Sequence, residues 1–292
     1  MYDDPDFDEF SLYDLQHEDD PVLLLDDAML EGLALGGLDL DGYGMEPPEL
    51  MLDVPYVPSD EKVVDALLDL AGVTSRDLLY DLGCGDGRIV VAAAMQRSAR
   101  AVGIDLDPAR IADAMEYAGN CRVERWVDFR EGDLLEADFS NATVVTLYLL
   151  DSINLELRPR LQQELQPGTR IVSHAFDMGD WKPDEHVRLG GINLYKWIVP
   201  ARLAGRWQWH SACGKAFAIE LKQKHQKLSG TAQIDGQPAQ LQRALLQGDL
   251  VELQISAPDT GKPYRFTMRY RDGELQPLDP AVQPAAATRI TG

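Results

Sequence analysis

The sequence predicts an α/β protein, a doubly wound sheet followed by a small antiparallel all-β domain. Three observations carry this reading. Between Val54 and Pro200, short apolar runs alternate with segments of helical periodicity, as in a parallel sheet covered on both faces. After Pro200 the helical periodicity stops, and strand-like runs are separated by glycine-containing turns. The first 52 residues share neither pattern. The organisation therefore reads as an acidic extension over 1–52, an α/β domain over 53–200, a β-meander over 201–285 and a frayed tail over 286–292.

Each element has its own signal. Ser59 to Ala71 places apolar residues at 63, 64, 67, 68 and 71, a helical stripe, with Ser59 as the expected N-cap and Asp60 and Glu61 suited to the first turn. DLLYDL reads as a short buried strand, and RIVVAAAMQR as the helix beyond a glycine turn. AVGID is the second strand, and Pro108 suits the first turn of a helix running to about Tyr117. VDFREGD and ATVVTLYLL are the third and fourth strands; Asp151 to Leu165 is helical, with a kink or break expected at Pro159. TRIVSHAF is a fifth strand, and HVRL and NLYKWIV are closing strands. The meander then offers roughly five to seven strands, enough for a small barrel or sandwich, with Trp207, Trp209 and Phe217 alternating into its core. KQKHQK, residues 222–227, reads as a solvated strand face.

Composition narrows the function classes. Hydrophobic residues make up 45% of the 292, enough to fill a sizeable core, and no apolar run is long enough to span a membrane. The N-terminus lacks the basic and apolar regions of a signal peptide, and Cys84, Cys121 and Cys213 are too few and scattered for a disulfide framework or a metal site. A soluble, cytoplasmic protein is expected. The net charge of −22 is concentrated: residues 1–53 hold 17 Asp and Glu and no Lys or Arg, leaving −5 for the rest. Acids interspersed with Leu, Met, Phe and Tyr describe a segment expected to be disordered, with an unknown partner if it has one, and they argue against nucleic-acid binding.

The stretch 80-YDLGCGDGR-88 is the chemical centre of the sequence. A glycine turn between strand and helix cradles a small ligand, and two ligand classes compete. A dinucleotide fingerprint, G-x-G-x-x-G, needs its third glycine at position 88, which is Arg88; the spacing here is G-x-G-x-G. Asp81 and Asp86 repel a pyrophosphate but suit the ammonium and sulfonium of S-adenosylmethionine. Asp105, ending the second strand in VGIDLD, suits two ribose hydroxyls, and Asp133 in EGDL suits the adenine amine.

The set DLGCGDGR, VGIDLD and EGDL, in that order, resembles the Rossmann-like seven-stranded class I S-adenosylmethionine-dependent methyltransferases over about residues 54–200. The resemblance implies cofactor roles for Asp81, Gly83, Gly85, Asp105 and Asp133. PYVPS, DLGCGDGRIVVAA, LQQELQPGTRIVSHAF and the W-x-P of Trp181 to Pro183 are similar to the mitochondrial protein-lysine methyltransferases acting on the ATP synthase c-ring protein and the adenine nucleotide translocase, and to their bacterial relatives. In that family the Pro-aromatic-Val-Pro stretch folds over the cofactor, which implies that Tyr56, Val57, Pro58 and Ser59 lie at its methionine end. Two departures from the mitochondrial members are expected: no membrane anchor before PYVPS, where the acidic segment stands, and an added β-rich region after Pro200.

Tyr56, Tyr148 and His174 are the candidate catalytic residues, with Tyr56 and Ser59 also candidate cofactor contacts. Tyr148 ends the fourth strand, and His174, Asp177 and Trp181 follow the fifth. Plainer readings accompany them: Tyr148 as packing, His174 as a hydrogen-bonded structural residue, Trp181 as closure of the sheet, and Asp177 and Asp180 as turn caps. The leading acceptor is a protein lysine; a small amine or other small molecule, and a non-catalytic cofactor-binding scaffold, are the alternatives. Because residues 1–50 show no regular apolar stripe, their deletion is expected to leave the melting temperature nearly unchanged in calorimetry. A drop of many degrees overturns that reading.

Overall fold

The computed structural model describes residues 58–257 and 261–290. Its first half is built from α1 (Glu61–Ala71), β1 (Leu78–Leu82), α2 (Arg88–Arg97), β2 (Arg100–Asp105), α3 (Pro108–Cys121), β3 (Val127–Glu131), β4 (Val144–Leu147), α4 (Asp151–Glu164), β5 (Arg170–His174), β6 (Glu185–Leu189) and β7 (Ile192–Ile198). The seven strands form one sheet in the order β3-β2-β1-β4-β5-β7-β6. The first five are parallel, while β7 runs antiparallel to both β5 and β6. Strand alternation sends Leu79, Val144 and Val172 to a core beneath α1 and α2, and Tyr80, Val145 and Ile171 to a second core beneath α4.

Helix boundaries follow capping chemistry. Asp60 rather than Ser59 caps α1, accepting from the Lys62 amide at 2.8 Å, and Gly72 in the left-handed region ends it. A carboxylate is the stronger acceptor for the helix-end amides, which leaves the buried Ser59 hydroxyl for another partner. Asp107 caps α3 ahead of Pro108. Helix α4 continues across Pro159.

The second half forms an antiparallel sheet of β8 (Gly205–His210), β9 (Ala216–Lys224), β10 (Lys227–Ile234), β11 (Gln237–Gln247), β12 (Leu250–Ser256), β13 (Pro263–Arg271), β14 (Glu274–Pro277) and β15 (Thr288–Ile290). Trp207, Trp209 and Phe217 are buried in its core, as alternation predicts. Two features differ from the sequence reading. Among the described residues the sheet has eight strands rather than five to seven, and part of the expected tail is β15, paired with β8. The Arg289 guanidinium lies 4.8 Å from the Trp207 ring centroid, so cation–π contact and ladder bonds together hold the segment on an otherwise open edge. Leu275 and Ala287 exchange backbone hydrogen bonds at 3.0 and 2.9 Å, bringing the two edges together into a nearly closed barrel. Both sheets belong to one compact unit.

One polar node ties three elements of the first sheet. Asp77, just before β1, accepts from the Thr74 amide at 2.8 Å and the Thr143 hydroxyl at 2.8 Å, and pairs with Arg170 of β5. Arg170 also donates to the carbonyls of Ala71 and Gly72 at the end of α1, both at 3.0 Å. Burial pushes the Asp77 carboxyl up, but the Thr74 amide, the Thr143 hydroxyl and Arg170 outweigh it and hold the carboxyl below its usual range. A depressed folded-state value adds stability that is present above the unfolded value and lost as pH falls through the folded one. Asp77→Asn should therefore cost about 2–3 kcal/mol at neutral pH. The deficit, read from denaturant midpoints, should shrink as pH falls through the carboxylate range; a constant gap contradicts the assignment.

Candidate active site

Strand order reverses between β1 and β4, so the helices after these strands leave in opposite directions and open a crevice at their carboxyl ends. The residues singled out by sequence converge on that edge: the glycine loop after β1, Asp105 at the end of β2, Asp133 after β3, Tyr148 after β4 and His174 at the end of β5. Tyr56 and Val57 lie outside the described residues.

The loop hugs the backbone of β2. The amides of Gly83 and Cys84 both donate to the Ile104 carbonyl, at 2.8 and 3.0 Å. Gly83 and Gly87 have φ of 81° and 75°. A Cβ at Gly83 falls 2.8 Å from Leu149 Cδ2, and one at Gly87 falls 2.8 Å from both Ala114 Cβ and the Phe129 ring. Only glycine lets the chain turn this closely against Leu149, Ala114 and Phe129. Arg88, which breaks the dinucleotide spacing, has a structural task. Its guanidinium donates to both Asp86 carboxylate oxygens, at 2.9 and 2.6 Å, and to the Ser59 carbonyl at 2.5 Å. Sequence reasoning saw only that a glycine was missing at position 88.

The acids differ sharply in environment. Asp81 is 2% exposed, and its Oδ1 accepts from Thr146 Oγ1 of β4 at 2.6 Å. Burial raises its pKa to about 7; the Thr146 bond opposes this, and the charges of Asp105 and Asp86 add to it. Asp105 holds the loop rather than standing free: Oδ2 accepts from the Gly85 amide at 2.8 Å and Oδ1 from the Asp107 amide at 3.0 Å. Each oxygen keeps a lone pair for a further donor. Asp133 is exposed and caps its own turn through the Leu135 amide at 2.8 Å. Arg160 of α4 braces that turn by donating to the carbonyls of Leu134, Leu135 and Ala137.

On the other side of the crevice, Ser59 Oγ lies 3.0 Å from His174 Nδ1, both buried. The Tyr148 ring stacks on His174 at 3.7 Å, with Phe176 6.4 Å from Tyr148. Burial lowers the His174 pKa to about 4 and raises that of the Tyr148 phenol, so both are neutral at pH 7. The strand-to-loop exit is tight: Ala175 has φ of 67°, and the Phe176 amide donates to the His174 carbonyl at 2.9 Å. Asn154 of α4 donates to the carbonyls of Phe176 and Asp177 at 3.5 and 3.4 Å. Asp177 caps its turn through the Gly179 amide, as read from sequence, and Trp181 is fully buried. Phe176, Asn154 and Thr146 were not legible as site residues, because the β1–β4 pairing sets Thr146 beside Asp81, and α4 carries Asn154 to the loop of Phe176.

Residues 81–185 match the ANTKMT methyltransferase domain. A protein-lysine N-methyltransferase of Saccharolobus islandicus is 43% identical over 151 residues, 50% of this chain and 94% of that protein. The chain belongs to this methyltransferase family. The adenine nucleotide translocase lysine N-methyltransferase of Mus musculus is 32% identical over 156 residues, 53% of this chain and 68% of the mouse protein. A solved RNA methyltransferase of Salinibacter ruber, in complex with S-adenosyl-L-homocysteine, is 53% identical with a TM-score of 0.50, covering 50% of this chain and 96% of that one. The matched family domain, residues 81–185, lies within the first sheet and its helices.

The cofactor of the family is S-adenosylmethionine, and the methyltransferase's own residues fit it. A buried carboxyl with a pKa near 7 is matched by a cation beside it, and the ammonium of the cofactor is such a cation. Binding of S-adenosylhomocysteine, whose ammonium remains positive, should strengthen as pH rises through about 7 and Asp81 ionises. Asp81→Asn should flatten that profile in calorimetry, whereas an unchanged profile removes Asp81 from the ammonium.

Proposed function

We propose that this methyltransferase transfers a methyl group from S-adenosylmethionine to the side-chain amine of a protein lysine, in the cytoplasm. The observation that carries the reading is the neutral aromatic wall on the acceptor side, Tyr148 stacked on His174 with Phe176 beyond. The 43% identity to a protein-lysine N-methyltransferase supports it. Asp81, Gly83, Gly85, Asp105 and Asp133 hold the cofactor in this proposal, with Tyr56 and Ser59 at its methionine end.

When bound, the cofactor supplies a methyl carbon that the amine lone pair attacks in line as the carbon–sulfur bond breaks, its electron pair leaving on sulfur. The amine must therefore be neutral, although a free lysine has a pKa of about 10.4. An aromatic wall packs along the methylene stem and removes water from the ammonium, which favours the uncharged form. A charged imidazole there would repel the incoming cation; burial keeps His174 neutral. The Tyr148 hydroxyl, protonated at neutral pH, offers an oxygen to accept from the amine. Proximity and orientation then supply most of the acceleration.

The Salinibacter relative favours a second acceptor, RNA. Radiolabelled cofactor incubated with cell extract separates the readings once protein, RNA and small-molecule fractions are resolved. Label in protein, recovered as methyl-lysine after hydrolysis, is expected; label confined to RNA or to small molecules overturns the proposal. Tyr148→Ala should reduce turnover at least about tenfold while S-adenosylhomocysteine affinity changes by less than about twofold. Equal losses in both would make Tyr148 a cofactor contact.

A further inference from the structure

The loop that follows β5 brings Phe176 and Asp177 to the acceptor side of the crevice, and it has no strand ladder of its own until β6. Side chains from two directions take up its backbone. Helix α4 presents Asn154, Arg158 and Gln162, each four residues from the next and so on one face, over about 12 Å of helix. Asn154 donates to the carbonyls of Phe176 and Asp177; Arg158 donates to the Met178 carbonyl at 2.8 Å and to Asp180 Oδ1 at 2.7 Å. Gln162, the last of the three, passes the loop and meets His225 Nδ1 of the barrel at 2.8 Å.

The barrel comes down on the same loop through the β9–β10 turn. The His225 ring stacks on Trp181 at 5.9 Å and 19°, with Nε2 3.5 Å from Asp180 Oδ1. Lys224 pairs with Asp180 at 2.9 Å, and Gln226 donates to the Lys182 carbonyl at 2.8 Å. His225 occupies φ of 53°, a region a non-glycine residue seldom adopts, and Gln223 holds it there by donating to its carbonyl at 2.7 Å. The loop is thus gripped between α4 and the barrel, with His225 touching both the helix and the loop. A segment whose carbonyls are satisfied by side chains takes its position from the elements that carry those side chains.

We propose that His225, although it lies in the barrel, is a positioning residue for the methyl-acceptor side of the crevice. By pressing on Trp181 and bonding Gln162, it fixes the loop that carries Phe176 and Asp177. This makes the barrel part of the acceptor site rather than an appended module. The acceptor used in the kinetic test rests on the lysine reading; the clamp itself does not.

The test uses two variants of the full chain. His225→Gly keeps the positive φ without strain and removes the ring, whereas His225→Asn tolerates the same φ and returns an amide for Gln162. Hydrogen exchange of amides 176–182 should quicken at least about tenfold in the glycine variant, with residues 81–87 unaffected. The kcat/KM for extract protein should fall about fivefold to twentyfold, S-adenosylhomocysteine affinity should stay within about twofold, and the asparagine variant should recover part of the loss. A joint that only stabilises the fold would lower the melting temperature while leaving loop exchange and kcat/KM unchanged, which overturns the proposal. Loss of cofactor affinity in step with activity overturns it too. If label appears outside protein, the lysine reading fails, and the same kinetics on the labelled fraction, with the exchange data, decide the clamp.

Discussion

The structure depends on β1 lying between two parallel partners, β2 on one side and β4 on the other. The chain leaves β1 toward α2 and β4 toward α4, so the two exits diverge and leave a gap at the carboxyl ends between them. The loop after β1 crosses that gap pressed against the β2 backbone, both its first amides bonded to the Ile104 carbonyl. Glycines at 83 and 87 follow from it, since a Cβ at either meets Leu149 or Phe129. The same gap gathers the strand-end residues Asp105, Tyr148 and His174, which are separated by up to 69 positions in sequence.

Charge at the crevice is resolved acid by acid. Asp86 is clasped by Arg88, and Asp105 accepts from two loop amides. Asp81 is held by Thr146 in a dry environment, so it carries the unmet electrostatic demand of the loop. A bound cation meets that demand and a pyrophosphate worsens it. The preference for a sulfonium cofactor is therefore built into burial and pairing as well as into loop spacing. Opposite these acids, burial keeps His174 and Tyr148 uncharged, so the imidazole adds no cation there and the phenol no anion.

The two sheets meet at the loop that follows β5. Asn154, Arg158 and Gln162 form one polar line along α4 that starts beside Phe176 and ends on His225. Leucines 157 and 161 of the same helix are buried against the sheet. One helix thus divides its faces between packing and holding the loop.

The order of elements, the glycine loop, the strand-end acids and the cofactor class were legible in the chain, because these depend on local periodicity and on adjacent residues. Its errors lie where local signals compete or contacts are distant. Ser59 and Asp60 both suit a helix cap, and only the position of His174, 115 residues away, decides that Ser59 bonds the imidazole. Residues 286–292 look like a tail because three alanines and no strand pattern precede Thr288, yet Trp207 supplies a ring for Arg289 and β8 an edge to pair with. KQKHQK reads as a solvated strand face, and Lys222 and Lys227 are exposed as that reading requires. His225 within it is drawn inward by Trp181 and Gln162, partners that no spacing in the chain reveals. Tertiary structure decided which polar groups became buried, and burial set both the charge state of Asp81 and the neutrality of His174.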